Sequence, residues 1–436
     1  MSRVCTGVSH LKAAARAGCV AGAMLLGAAS ACSSSPSPAA RGTAVAPVVS
    51  PAPTAPAGIA LQALRRLHWS ALPIDPLAPR DTVITAWTGH ELLAVGGQRS
   101  ADGAAYTGAD AYDPQTGRWQ VLPSLPLVAR DAPASAWTGY GLFVWGGTST
   151  PGGRPQDGQG LRDGAILDVA HRRWTMLPAG PLPALTSAVA ITDAADHVII
   201  LGGQPDEGAN SSGGVPLVSR RVASYDPASR TWRTLPDLPA VTGHDLVGLT
   251  AVRWGSRILA AATWQHVVHT APGATEGNGG VDLFLLDSKQ GTWSRFAVPS
   301  TLSLVGADLR PLGSQLVVAG GTMCPPFAAC PASLNTAFTL LDAAGKARTG
   351  TAGVPIKPGA ATDVGDNYVV MTGSQITGPG LDEQPGDTAG FDLATGNWVA
   401  LPSARRFTPQ PESLTWTGSE LIAQSPDGWI ALGSTG

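Results

Sequence analysis

Charged pairs recur at one kind of place in this 436-residue chain: Arg80 with Asp81, Arg130 with Asp131, His244 with Asp245, and Arg405 with Arg406 each precede an apolar stretch. A guanidinium clamps a carboxylate or phosphate through two parallel hydrogen bonds, so several such groups gathered at one point could bind a polar or anionic ligand. Paired with one another, the same Arg and Asp would instead tie neighbouring elements together, and the sequence leaves both readings open. Trp264, His266, His269 and Glu276 form a second cluster. His266 and His269 would point to opposite faces of an extended strand, so chelation needs a turn there, and no metal is assigned. An aromatic and imidazole ligand surface and an ordinary loop are the other two readings.

Several function classes are disfavoured early. No Gly-x-Ser-x-Gly elbow, phosphate loop or zinc-protease motif is present, and no cofactor is expected. The net charge is −3, and −6 without the first 31 residues, which hold Arg3, Lys12 and Arg16 and no acid. Such a chain is repelled by nucleic-acid backbones and anionic membrane surfaces. With 54 Gly, 37 Pro and only 14% charged residues, it is built for many short strands and tight turns.

The elements that position these residues repeat. Ala86-Trp87-Thr88-Gly89 leads to Gly96-Gly97, and Ala136-Trp137-Thr138-Gly139 leads to Gly146-Gly147; weaker copies at 198–203, 258–263, 316–321, 368–373 and 414–425 make seven. Between them runs a strand ending in Asp with Trp six positions later: Asp113 and Trp119, Asp168 and Trp174, Asp226 and Trp232, Asp287 and Trp293, Asp392 and Trp398. Asp342 keeps the register, with Arg348 in the Trp position. An Asp before Thr-Gly or Gln-Gly is a turn-former that accepts backbone N–H bonds, so these six read as structural and not as a carboxylate ring. A repeat-phased Trp reads as packing between units.

The Gly-Gly pairs, Tyr112 and Tyr225, the phased Trp residues, and Arg80 and Arg130 ahead of the first strand together resemble the kelch repeat from Trp69 to the C-terminus. The resemblance implies an all-β fold, a seven-bladed β-propeller of four-stranded blades packed radially to bury both faces. His68-Trp69-Ser70-Ala71-Leu72-Pro73 matches a fourth strand with no first three before it, while the C-terminal 414–432 offers three strands and no fourth. The N-terminal strand is therefore expected to complete the last blade. Kelch topology also places the segment leading into each first strand on the same face as the loops after the second strands. Those loops, 98–107, 148–163, 204–221, 264–280 and 322–336, vary while the strands repeat, and variable loops on a rigid scaffold are where specificity resides. Blade four breaks the pattern with Ala262-Thr263 in place of Gly-Gly, and broken local rules fall at functional sites.

Galactose oxidase is a kelch propeller, but its copper set of two Tyr, two His and a Tyr–Cys crosslink finds no match among the five Tyr here. At the N-terminus a basic stretch, an apolar run over 17–29 and Ala29-Ser30-Ala31-Cys32 resemble the signal and lipobox of a bacterial lipoprotein. That implies a signal peptide at 1–31, acylated Cys32 with a Ser/Pro/Ala-rich tether at 32–67, and a propeller at 68–436 held outside the membrane. Plain secretion is the alternative, since Ala29-x-Ala31 also fits ordinary cleavage. Cys324 and Cys330 then remain as a pair, expected to form a disulfide in an oxidising compartment. The expected function is a non-catalytic, monomeric binding or scaffold propeller that presents its loops to a protein or glycan and meets the membrane only through its anchor. The alternative is a carbohydrate-active enzyme whose residues are spread over several blades.

Overall fold

The computed structural model describes residues 63–77, 79–99, 104–149, 159–205, 217–265, 268–269, 275–276, 279–299, 307–320, 337–351, 357–364, 368–377, 382–384, 388–404, 407, 413–425 and 428–433. Within them lie seven antiparallel blades, each a meander of four strands taken in order. Blade one consists of Ile84–Trp87, Leu92–Val95, Ala109–Asp113 and Arg118–Leu122, and blade two of Ala134–Thr138, Gly141–Trp145, Gly164–Asp168 and Arg173–Met176. Blade three runs from Leu185–Thr192 to Thr231–Leu235, blade four from Asp245–Trp254 to Thr292–Phe296, blade five from Ala307–Leu312 to Ala347–Thr351, and blade six from Lys357–Val364 to Asn397–Ala400. Blade seven takes three strands from the C-terminus, Ser413–Trp416, Leu421–Ser425 and Gly428–Gly433, and its fourth, His68–Ala71, from the N-terminus. The closing ladder pairs Trp69 with Leu432 and Ala71 with Ile430. The packed chain reaches back to Leu64, which is buried against blades six and seven.

The core lies between blades. Seven apolar clusters occupy the seven interfaces: Leu93 and Val95 meet Leu142 and Val144 between blades one and two, and Leu92 and Tyr112 meet Ile422 and Trp429 between blades one and seven. Blades six and seven share Val370, Leu414 and Ile430. This explains the unbroken apolar second strands such as Leu92–Val95, buried along their whole length with a neighbouring blade on either face. Fourth strands such as Arg118–Leu122 form the rim and are more exposed.

The repeat-phased residues fix this geometry. The indole N–H groups of Trp119, Trp174, Trp232 and Trp293 donate to the carbonyls of Pro73, Pro123, Pro178 and Pro236, each at the end of the preceding blade's fourth strand. The turn-forming Asp residues accept from the backbone two or three residues on: Asp113 from Gln115, Asp168 from His171, Asp226 from Ala228, Asp287 from Gln290, Asp342 from Ala344 and Asp392 from Ala394. At the Gly-Gly turns, Gly147 has φ +90° and a Cβ there would lie 2.5 Å from the carbonyl oxygen of Asp131. Only glycine fits where the chain is left-handed and touches the segment leading into its own blade.

Candidate functional site

The segments leading into first strands and the loops after second strands meet on one face. Arg80–Asp81 forms a short ladder with Gln98–Arg99, and Arg130–Asp131 one with Thr148–Ser149. The tight first–second and third–fourth turns lie on the opposite, hairpin face.

Arg80 and Arg130 nevertheless do not present their side chains to a ligand; both are 1% exposed. Arg80 Nη1 donates to the carbonyl of Gly96 at 3.0 Å, and its Nη2 donates to Asp75 and Asp110. Arg130 donates from Nε to Val128 O and from Nη1 to Gly146 O and Asp163 Oδ1, at 3.0 Å each. Their guanidinium groups hold the Gly-Gly turn to the lead-in segment, so they tie elements together, with Asp75, Asp110 and Asp163 as the carboxylate partners. Trp264 is likewise corrected: at 3% exposure it packs in the core between blades three and four. At the Ala262-Thr263 break the second strand runs on through Arg257–Gln265, with a bulge between Leu246 and Gly248 on its partner and Gly248 opposite Thr263.

Asp81, Asp131, His244 and Asp245 remain half-buried on the loop face. Asp131 Oδ1 accepts from the N–H of Ala132 at 2.8 Å, and His244 Nδ1 lies 3.1 Å from Thr242 O. His266, Arg405, Arg406, Cys32, Cys324 and Cys330 lie outside the described residues. Among those described, no group of three or more His, Cys, Asp or Glu could hold a metal.

The sequence reading missed the residues that follow these pairs. Thr82, Ala132 and Ser187 are left-handed, with φ of 51°, 45° and 56°. Non-glycine residues adopt that conformation at a cost and cluster at turns and functional sites. Thr82 and Ser187 are exposed, and Ser187 N–H donates to Ala132 O at 3.0 Å, linking the lead-in segments of blades two and three. Thr148 and Thr186 share a hydroxyl hydrogen bond alongside. The visible signal was positional: each stands one residue after the Arg-Asp pair or its counterpart. Together they give a rim of hydroxyls, backbone groups and carboxylates on the loop face.

A second polar network, also missed, lies on the hairpin face. Asp193 Oδ2 accepts from Ser288 Oγ at 2.6 Å, and Asp196 Oδ2 accepts from Gly139 N–H at 2.8 Å, so the turn of blade three grips blades four and two. Burial pushes the carboxyl of Asp196 up, against the pull of that N–H. Tyr112 and Tyr225 pack on Trp119 and Trp232 with ring centroids 5.1 and 4.9 Å apart, as core aromatics.

The kelch motif family model matches residues 88–126, across blade one. With that motif and seven four-stranded blades, the chain is a seven-bladed β-propeller of kelch type. A solved structure titled "Structure of YjhT" is similar over 76% of this chain and 100% of that one, at 17% identity and a TM-score of 0.49, a likeness that speaks to neither activity nor ligand. No curated protein matches.

Proposed function

We propose that this propeller is a non-catalytic binding or scaffold module, exported and held outside the membrane by an acylated Cys32, that engages a protein or glycan through its loop face. The observation that carries the reading is where the recurring charges go. Arg80 and Arg130 are spent on the Gly-Gly turns and the phased Asp residues on hairpins, so the residues free to differ between blades are the long loops and the rim of Thr82, Ala132 and Ser187. A rigid ring carrying unlike loops on one face is built to hold several contacts at fixed spacing, which lowers the ordering cost of binding.

Two measurements test it. Mass spectrometry of the membrane-fraction protein finds a lipid on Cys32, and Cys32→Ser releases the protein or leaves it unprocessed; a soluble, lipid-free wild type overturns the anchoring. A glycan array together with a pull-down from the native envelope identifies the ligand, and elemental analysis of the purified domain finds no stoichiometric copper. Stoichiometric copper would turn the reading to a carbohydrate oxidase.

A further inference from the structure

Where the two chain ends meet, blades seven and one share a polar cluster unlike its counterpart at the next interface. Asp75 follows the N-terminal strand, Arg80 leads into blade one, and Asp110 lies on the third strand of that blade. Arg80 Nη2 reaches Asp75 Oδ2 at 3.2 Å and Asp110 Oδ1 at 2.5 Å, with all three side chains 1% exposed or less. From blade seven, Trp429 Nε1 donates to Asp75 Oδ2 and Gln424 Nε2 donates to Arg80 O, each at 3.0 Å. Between blades one and two, Arg130 holds the place of Arg80, but Leu125 stands two residues after Pro123 as Asp75 does after Pro73. Ala165, paired with Val144, takes the ladder place of Asp110, which pairs with Ala94.

The seam thus buries two carboxylates against one guanidinium. Two buried negative charges beside a single positive one leave a charge uncompensated, a cost that favours retention of a proton by the pair. Asp110 Oδ2 is buried and receives no hydrogen bond from a donor, so protonation there leaves no acceptor pairing broken.

We propose that this pair is a proton-operated latch on the ring: the closed seam holds one proton that the opened seam gives up to solvent, so the N-terminal strand is gripped most firmly in mild acid and progressively less toward alkaline pH. Burial first, then the hydrogen bond with Asp75, pushes Asp110 up to about 8, against the charge of Arg80. Burial alone would raise Asp75, but the hydrogen bond with Asp110 and the charge of Arg80 hold it below the usual carboxylate range. Once the seam opens, both carboxyls meet water and return toward the ordinary carboxylate range, at about 4. Between about 4 and about 8 the closed form therefore binds one proton more than the open form. Closure weakens as pH rises across that window, by up to about tenfold per pH unit, and levels off above it. Glu420, on the first turn of blade seven, is also raised by burial and influences Tyr112 at the same seam.

The test is hydrogen exchange of the full chain from pH 5 to 9.5, corrected for intrinsic rates and read on the peptide covering 67–75. Wild type should show an opening equilibrium that rises toward tenfold per unit up to about pH 8 and then flattens. Asp110→Asn, whose amide imitates the protonated carboxyl, should stay closed and lose most of that slope, keeping only the shallower dependence that Glu420 gives to both proteins. A flat wild type, or an equal slope in Asp110→Asn, overturns the latch. If that variant does not fold, Asp75→Asn leaves one carboxylate on the guanidinium: loss of most of the wild-type slope there supports the latch and an undiminished slope overturns it.

Discussion

Trp69 donates its indole N–H to the carbonyl of Pro402, 333 residues away in sequence, at 2.9 Å. The bond repeats at the ring's closure what Trp119, Trp174, Trp232 and Trp293 do between blades continuous in the chain. The ring therefore treats its N-terminal strand as one more rim strand, joined by a ladder and a Trp clasp instead of a peptide bond.

That clasp is accessible to a stability measurement. Trp69 is 2% exposed, and truncating a buried Trp typically costs about 3 to 5 kcal/mol. Trp69→Ala should lower the urea midpoint accordingly, and deletion of 67–73, which also bares a strand edge, should lower it further or cause aggregation. An unchanged midpoint in either protein would mean that the closure contributes nothing to stability.

The two buried arginines should differ in their sensitivity. Replacing Arg80 with Met leaves Asp75 and Asp110 buried without their cation, a loss of about 3 to 5 kcal/mol. At Arg130 the same change strands mainly carbonyls and the half-exposed Asp163, with a cost of about 1 to 3 kcal/mol. Equal losses in chemical denaturation would contradict the difference in their surroundings.

Two glycines with similar torsions make a clean comparison. Gly117, with φ +65°, has nothing within 4 Å of an added Cβ, whereas Gly147 would meet Asp131 O at 2.5 Å and Pro133 N at 3.0 Å. Gly117→Ala should cost about 1 to 2 kcal/mol from the left-handed conformation alone. Gly147→Ala should cost clearly more, because backbone must move, and thermal melts showing the two alike would remove close approach as the reason for the Gly-Gly pair.

What the sequence disclosed was what recurs. The blade count, the closing strand, the Asp turns and the inter-blade Trp all rest on residues repeated in phase, where one copy interprets the others. Arg80 and Arg130 recur too, but spacing places a residue in a segment without saying whether its side chain turns inward, and both turn in. Asp75, Asp110 and the Asp193–Ser288 contact each occur once and pair across elements remote in sequence, so no pattern marks them. In blade four the missing Gly-Gly drew attention to the loop, while the ladder past Ala262-Thr263 and the bulge between Leu246 and Gly248 on the partner strand left no mark in the sequence.

The claim that the loop face does the binding is tested most directly by site-specific photo-crosslinking in the native envelope. Arg162 and Arg221, exposed just ahead of the third strands of blades two and three, report on the loop face; Tyr140 and Arg257, exposed at first–second turns, report on the hairpin face. A benzophenone side chain at each position in turn should give discrete adducts from Arg162 or Arg221 and none from Tyr140 or Arg257. Adducts from the hairpin-face positions alone, or equally from all four, would contradict the account.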